Sequence, residues 1–272
     1  MGKHFKIYLL RLKKILLMML LLLIPVTGCS GIYARYTCDF IQMEESSQIY
    51  YEAGAEDLAK KISNNFAGYV KSVEKQEYIP FKAPGSIKIY VFNKRENYLK
   101  YTFSSRSGFG CALTNEIYLS PILKERIYIL PNVLMHELSH VHLRQYIGTW
   151  VYTTNIPDWF HEGFADLTSS GGAERRGTRE AIEYINSGHH FAPTTAGSIF
   201  VNKTAQYYGL WPHIYYRQAG LFVRFLKQVD PKAFEKSYIS LTEKEDFEEV
   251  WKKYYGKSVN ELWNQFLIET KK

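Results

Sequence analysis

His136-Glu137-Leu138-Ser139-His140 is the stretch on which the reading of this 272-residue chain turns. On a helix, residues four apart lie on one face, about one turn from each other. Both imidazoles can therefore reach a single metal ion. The glutamate that follows the first histidine then lies beside that ion, where its carboxylate can act as general base on a bound water. Pro131 suits the first turn of such a helix, because its missing N–H costs nothing there, and Gly148 suits its end. Downstream, Glu162 stands inside Pro157-Asp158-Trp159-Phe160-His161-Glu162-Gly163-Phe164-Ala165-Asp166.

Taken together, H-E-x-x-H and W-x-x-E-G-x-A-x resemble the gluzincins, the thermolysin-like and aminopeptidase-N-like zinc metallopeptidases. Their short bacterial members are called peptidase MA-like. The close match covers residues 136–166, with looser likeness through the rest of the mature chain. The resemblance implies that Glu162, on a second helix, is the third ligand beside His136 and His140. It implies that Asp166 accepts the free N–H of a metal-bound histidine, and that Glu137 is the catalytic base. One Zn2+ per chain is the expected cofactor, since zinc takes two neutral imidazoles and a carboxylate and leaves a fourth position for water. His142 and His161 flank these residues and are read as non-ligands. The fold implied is zincin-like α+β, a small mixed-sheet N-terminal lobe and a helical C-terminal lobe with the metal helix between.

Two further expectations come from the same resemblance. An edge strand ahead of the metal helix pairs with substrate backbone, and Gly110-Cys111-Ala112-Leu113 is the candidate; strand addition binds any extended peptide, so preference then comes from side-chain pockets. A downstream tyrosine or histidine steadies the oxyanion of the tetrahedral intermediate. Tyr216 is the first choice for it, Tyr215 the second and His213 the third. The aminopeptidase relatives carry a G-x-M-E-N stretch that holds the substrate amine. Leu113-Thr114-Asn115-Glu116 is not that pattern, which favours an endopeptidase.

The chain opens with an address. Lys3, Lys6, Arg11, Lys13 and Lys14 precede a wholly apolar run at 15–24, and Val26-Thr27-Gly28-Cys29 resembles the bacterial lipobox. A charged start, a short apolar middle and small residues before a cut make a secretory signal. The resemblance implies that residues 1–28 are a lipoprotein signal peptide, with acyl chains on Cys29 as the expected membrane anchor. The formal charge of +7 lies largely in this segment: without those five cations, 29 basic residues face 27 acidic ones. Nothing in that balance points to nucleic acid. Cys38 and Cys111 can pair in an exported compartment or stay free.

Residues 29–47 read as a tether and 48–272 as the metallopeptidase domain. Apolar residues at three- and four-residue spacing predict a helix over 49–75. Alternation predicts a strand over 86–92, and short strands follow at 109–113 and 116–119. A short helix over 95–101 has Asn93 as its cap. Helices are expected over 131–146, 157–169, 174–186, 212–229, 231–241, 244–255 and 258–269. The function expected is hydrolysis of a peptide or protein substrate by an enzyme anchored on the extracytoplasmic face of the bacterial envelope. Two rivals are a non-catalytic envelope lipoprotein that keeps the fold for binding, and a hydrolase of cell-wall peptides.

Overall fold

Isoleucine, valine and tyrosine alternate along the short strands, and that alternation builds a sheet with two different faces. A computed structural model describes residues 38–102, 108–171, 177–197 and 203–271. The strands are β1 (Phe40–Met43), β2 (Ser46–Glu52), β3 (Lys88–Val91), β4 (Gly110–Leu113) and β5 (Glu116–Leu119), in the order β1-β2-β3-β5-β4. The three central strands are parallel, with Ile49 opposite Ile89 and Ile89 opposite Ile117. β1 and β4 are antiparallel edges. One face meets helix α1 (Glu56–Gln76), whose Leu58, Ile62, Phe66, Val70 and Val73 fall on a single stripe. On the other face Tyr50, Tyr90 and Tyr118 stack in a row, closed by Tyr98 and Tyr101 of helix α2 (Arg95–Tyr101).

Three expectations are corrected in this half. The sheet begins at Phe40, inside the stretch read as a tether: β1 is a four-residue, half-exposed edge strand, too short to show a strand pattern of its own. β2 occupies the start of the expected helix, so α1 begins at Glu56. The Asn93 side chain does not cap α2, whose N-cap position is Lys94. The Asn93 amide donates instead to the Ala53 carbonyl at 2.8 Å, and just ahead of the helix one Glu52 oxygen accepts from the backbone N–H groups of Asn93 at 2.7 Å and Lys94 at 2.8 Å.

The remaining chain is helical: α3 (Leu130–Asn155), α4 (Asp158–Thr168), α5 (Thr178–Asn186), α6 (Pro212–Val229), α7 (Pro231–Thr242), α8 (Phe247–Tyr255) and α9 (Val259–Glu269). The fold class is α+β, as the sequence leads one to expect. α3 lies between the two halves. Its residues 137–143 are all buried, two turns with no solvent-facing side. Val133, Leu134, Leu138 and Val141 pack into the sheet core, and Leu143 and Ile147 into the helical core. α4 and α6 cross closely: a Cβ on Gly163 would stand 2.6 Å from the Ala219 backbone, and one on Gly220 2.1 Å from Asp166 Oδ2. Only glycine permits that approach.

α3 breaks where expected, at Gly148 (φ 80°, ψ 157°), a conformation L side chains rarely adopt. The chain then re-enters helix over 149–155, between the helices expected at 131–146 and 157–169. Behind α3, the buried Glu77 carboxylate stands 2.5 Å from His142 Nδ1 and accepts from Tyr238 Oη at 2.5 Å and Thr168 Oγ1 at 3.4 Å. The other His142 nitrogen faces the Ile79 carbonyl at 3.0 Å. Burial opposes charge on this imidazole, but Glu77 and the Ile79 carbonyl outweigh it and raise its pKa. Among the described residues no helix is long and apolar enough to cross a membrane. Cys38 and Cys111 are free thiols, and Cys29 lies outside the described residues.

Candidate metal centre

The helical spacing of His136 and His140 brings their Nε2 atoms to 3.1 Å from each other. α4 crosses α3 so that Glu162 Oε2 is 3.3 Å from His136 Nε2 and Glu162 Oε1 3.7 Å from His140 Nε2. Ligand bonds of 2.0–2.2 Å in a tetrahedron put neighbouring donors about 3.4 Å apart. The three separations bracket that value, so these residues can hold a metal ion without a change of backbone. The donor set, two imidazoles and one carboxylate, leaves a coordination position open.

The charges of the metal-free cluster are shared unevenly. Burial opposes charge on His136, but Glu162, Glu137 and Asp166 outweigh it and raise the ring to about 9, so a bound cation would have to displace that proton. Burial would push the Glu162 carboxyl up, but His140, His136 and His161 outweigh it and hold it well below the usual carboxylate range. Burial presses His140 well below the usual imidazole value, which leaves a neutral ring with a lone pair to give. Glu137 is buried against the same cluster. Desolvation raises its carboxyl to about 7 against the pull of His136. Its carboxylate also receives the backbone N–H of Ala112 on β4.

A cleft of about 720 Å³ opens over these groups. Its walls are β4 on one side and Tyr216, His213 and Arg217 of α6 on the other, with His136, Glu137, His140 and Glu162 at the bottom. β4 is the outer strand of the sheet, and the Arg144 guanidinium donates to the Ala112 carbonyl at 2.8 Å. Of the three candidates for an oxyanion donor, Tyr216 and His213 line the cleft. Tyr215 does not: it is buried, and its hydroxyl turns to Asp158 and the Lys203 carbonyl.

Asp166 is buried near His136, and its Oδ2 accepts from Arg217 Nη1 at 3.2 Å. Arg217 also donates to the Gly171 carbonyl. Burial lifts the Asp166 carboxyl to about 6, against the pull of Arg217 and His136. The hydrogen bond to a ligand imidazole comes from elsewhere. Tyr152 Oη lies 2.9 Å from His140 Nδ1. With Nε2 given to a metal, Nδ1 would carry the ring proton and donate to that oxygen. Arg144 stacks over the Tyr152 ring at 4.1 Å.

The sequence carries no sign of Tyr152. Twelve residues of straight helix would separate it from His140 by about 18 Å, and the contact exists only because α3 breaks at Gly148. His161 was legible. Asp158, His161 and Glu162 follow i, i+3, i+4 spacing, and the His161 ring lies against both His140 and Tyr152. His142 faces away from the cluster, as expected. No protein-family model and no curated protein matches this chain.

Proposed function

We propose that this chain is a zinc-dependent peptidase of gluzincin type, anchored by lipid on Cys29 outside the cytoplasm. The observation that carries the reading is the meeting of His136, His140 and Glu162 donors at tetrahedral spacing, with the Glu137 carboxylate in the same cleft. When bound, zinc would polarise the scissile carbonyl as a Lewis acid and acidify water. Glu137 takes the proton from the attacking water and passes it to the leaving nitrogen. A carboxyl lifted toward neutrality by burial is suited to both halves of that transfer.

Tyr216 is the proposed donor to the oxyanion, with His213 as the alternative on the same wall. The proposed substrate is an extended peptide laid along β4. The G-x-M-E-N amine clamp is lacking from the sequence, which favours internal cleavage. A merely binding descendant of the fold has no use for Glu137, which weighs against that rival.

The test is metal analysis of the purified protein together with digestion of a peptide library and of purified cell-wall material. Wild type should bind zinc and cleave, and Glu137→Gln should bind zinc and fail to cleave. Full cleavage by Glu137→Gln would refute the mechanism. Zinc binding without cleavage of either substrate would favour the binding module, and cleavage of wall material alone would move the substrate to wall peptides.

A further inference from the structure

The first turns of α4 offer metal-ligating groups beyond those of the first cluster. Asp158, His161 and Glu162 share one helix face, and one ligand atom from each lies within 4.8 Å of the others. His161 carries the argument. Its side chain is 10% exposed, and its Nδ1 is buried with no hydrogen-bond partner among the described residues.

Nδ1 stands 3.5 Å from Glu162 Oε1, and Nε2 stands 3.6 Å from Asp158 Oδ1. Both separations exceed the range of an N–H···O bond. Folded chains seldom bury a ring nitrogen against a carboxylate without joining the two. An ion takes only one ring nitrogen. Through Nδ1 the 3.5 Å separation from Glu162 falls within the 3.1–3.7 Å between donors of the first cluster, and Asp158, whose close contact is to Nε2, must turn to join it. The surroundings also fix the orientation of the group, as outer partners of metal ligands do. The Tyr152 ring packs on His161 at 4.7 Å, and the buried Tyr215 hydroxyl lies near Asp158.

We propose that Asp158, His161 and Glu162 form a second divalent-cation site, weaker than the first, with Glu162 bridging the two ions. Paired ions in two-metal sites stand about 3.5–4 Å apart, a distance one carboxylate spans. One imidazole and two carboxylates accept zinc. The site is the weaker because Glu162 gives only part of its charge to it. The inference rests on the first cluster being a metal centre, since Glu162 is common to both.

The experiment is a zinc titration of the full chain in detergent, stripped of metal and followed by competition with a chromophoric chelator. Wild type should show two binding events per chain. Asp158→Asn and His161→Gln should each keep the tight event and weaken the second by about 10–100-fold, with unchanged circular dichroism. Wild type that saturates at one equivalent, or variants that both keep two unaltered events, would overturn the second site and leave the first standing. Loss of the tight event from folded Asp158→Asn would also overturn it, making these residues supports of the first site. A chain that takes up no zinc would sink both.

Discussion

Tyr152→Phe isolates one hydrogen bond to a ligand imidazole. The substitution removes only the hydroxyl. A phenylalanine ring would still pack on His161 at 4.7 Å and still lie under the Arg144 guanidinium at 4.1 Å. What it loses is the 2.9 Å contact to His140 Nδ1. Tyr152 is 2% exposed, so water cannot replace that oxygen freely. A buried donor left without a partner costs about 1–3 kcal/mol. At about 1.4 kcal/mol per tenfold, that corresponds to a factor of about 5–150 in an equilibrium constant. The metal-free chain bears part of the same cost, and the loss should therefore fall within the 10–100-fold range typical of outer partners of metal ligands. The assay is competition for zinc with a chelator of known affinity, with a thermal melt of the metal-free protein as control. An affinity within about twofold of wild type, in a variant that melts normally, would refute the assignment of Tyr152 as the support of His140.

Three other outcomes follow from the geometry. Glu77→Gln breaks the buried pair with His142, a loss of about 3–5 kcal/mol; at about 2–4 °C per kcal/mol for a domain of this size, the melting temperature should fall by roughly 6–20 °C, and a shift below 2 °C would show that the pair is not charged. Gly110→Ala puts a Cβ 2.9 Å from Glu137 Oε1 and 3.1 Å from Val133 Cγ1. It should lower turnover by up to about 100-fold through misplacement of the base while zinc stoichiometry is kept, and normal turnover would mean that β4 does not control the Glu137 position. Cys29→Ser should move the protein from the membrane fraction to the soluble fraction of envelope extracts, and continued membrane association would refute the lipid anchor.

Local periodicity made much of this readable. His136, His140 and the Glu162 helix obey helical spacing, and the stripe from Leu58 to Val73 and the alternation at Ile89 and Val91 are equally local. What was illegible depends on contacts between distant segments or on helix phase. Thr149, Val151, Thr153 and Thr154 are β-branched and argue against helix, yet 149–155 is helical because packing past the break decides it. β1 is only four residues long and leaves Ile41 and Gln42 exposed, so pairing with β2 and not a buried-face pattern makes it a strand. Tyr215 and Tyr216 differ by about 100° around α6, and only the orientation of that helix tells which faces the cleft. Asp166 had an evident place in the pattern, but its hydrogen bond goes to Arg217, supplied from α6.

The two fully buried turns of α3 have a consequence for motion. A hinge usually runs through the seam between halves, but here the seam is a helix whose side chains complete both cores at once. Rotation of one half against the other about that helix would expose apolar surface on either side. Its amides should therefore open only with the global transition, which makes the reactive groups the stiffest part of the molecule. On the proposed function, access for an extended peptide must then come from the outer walls of the cleft, while Glu137 and the imidazoles stay still.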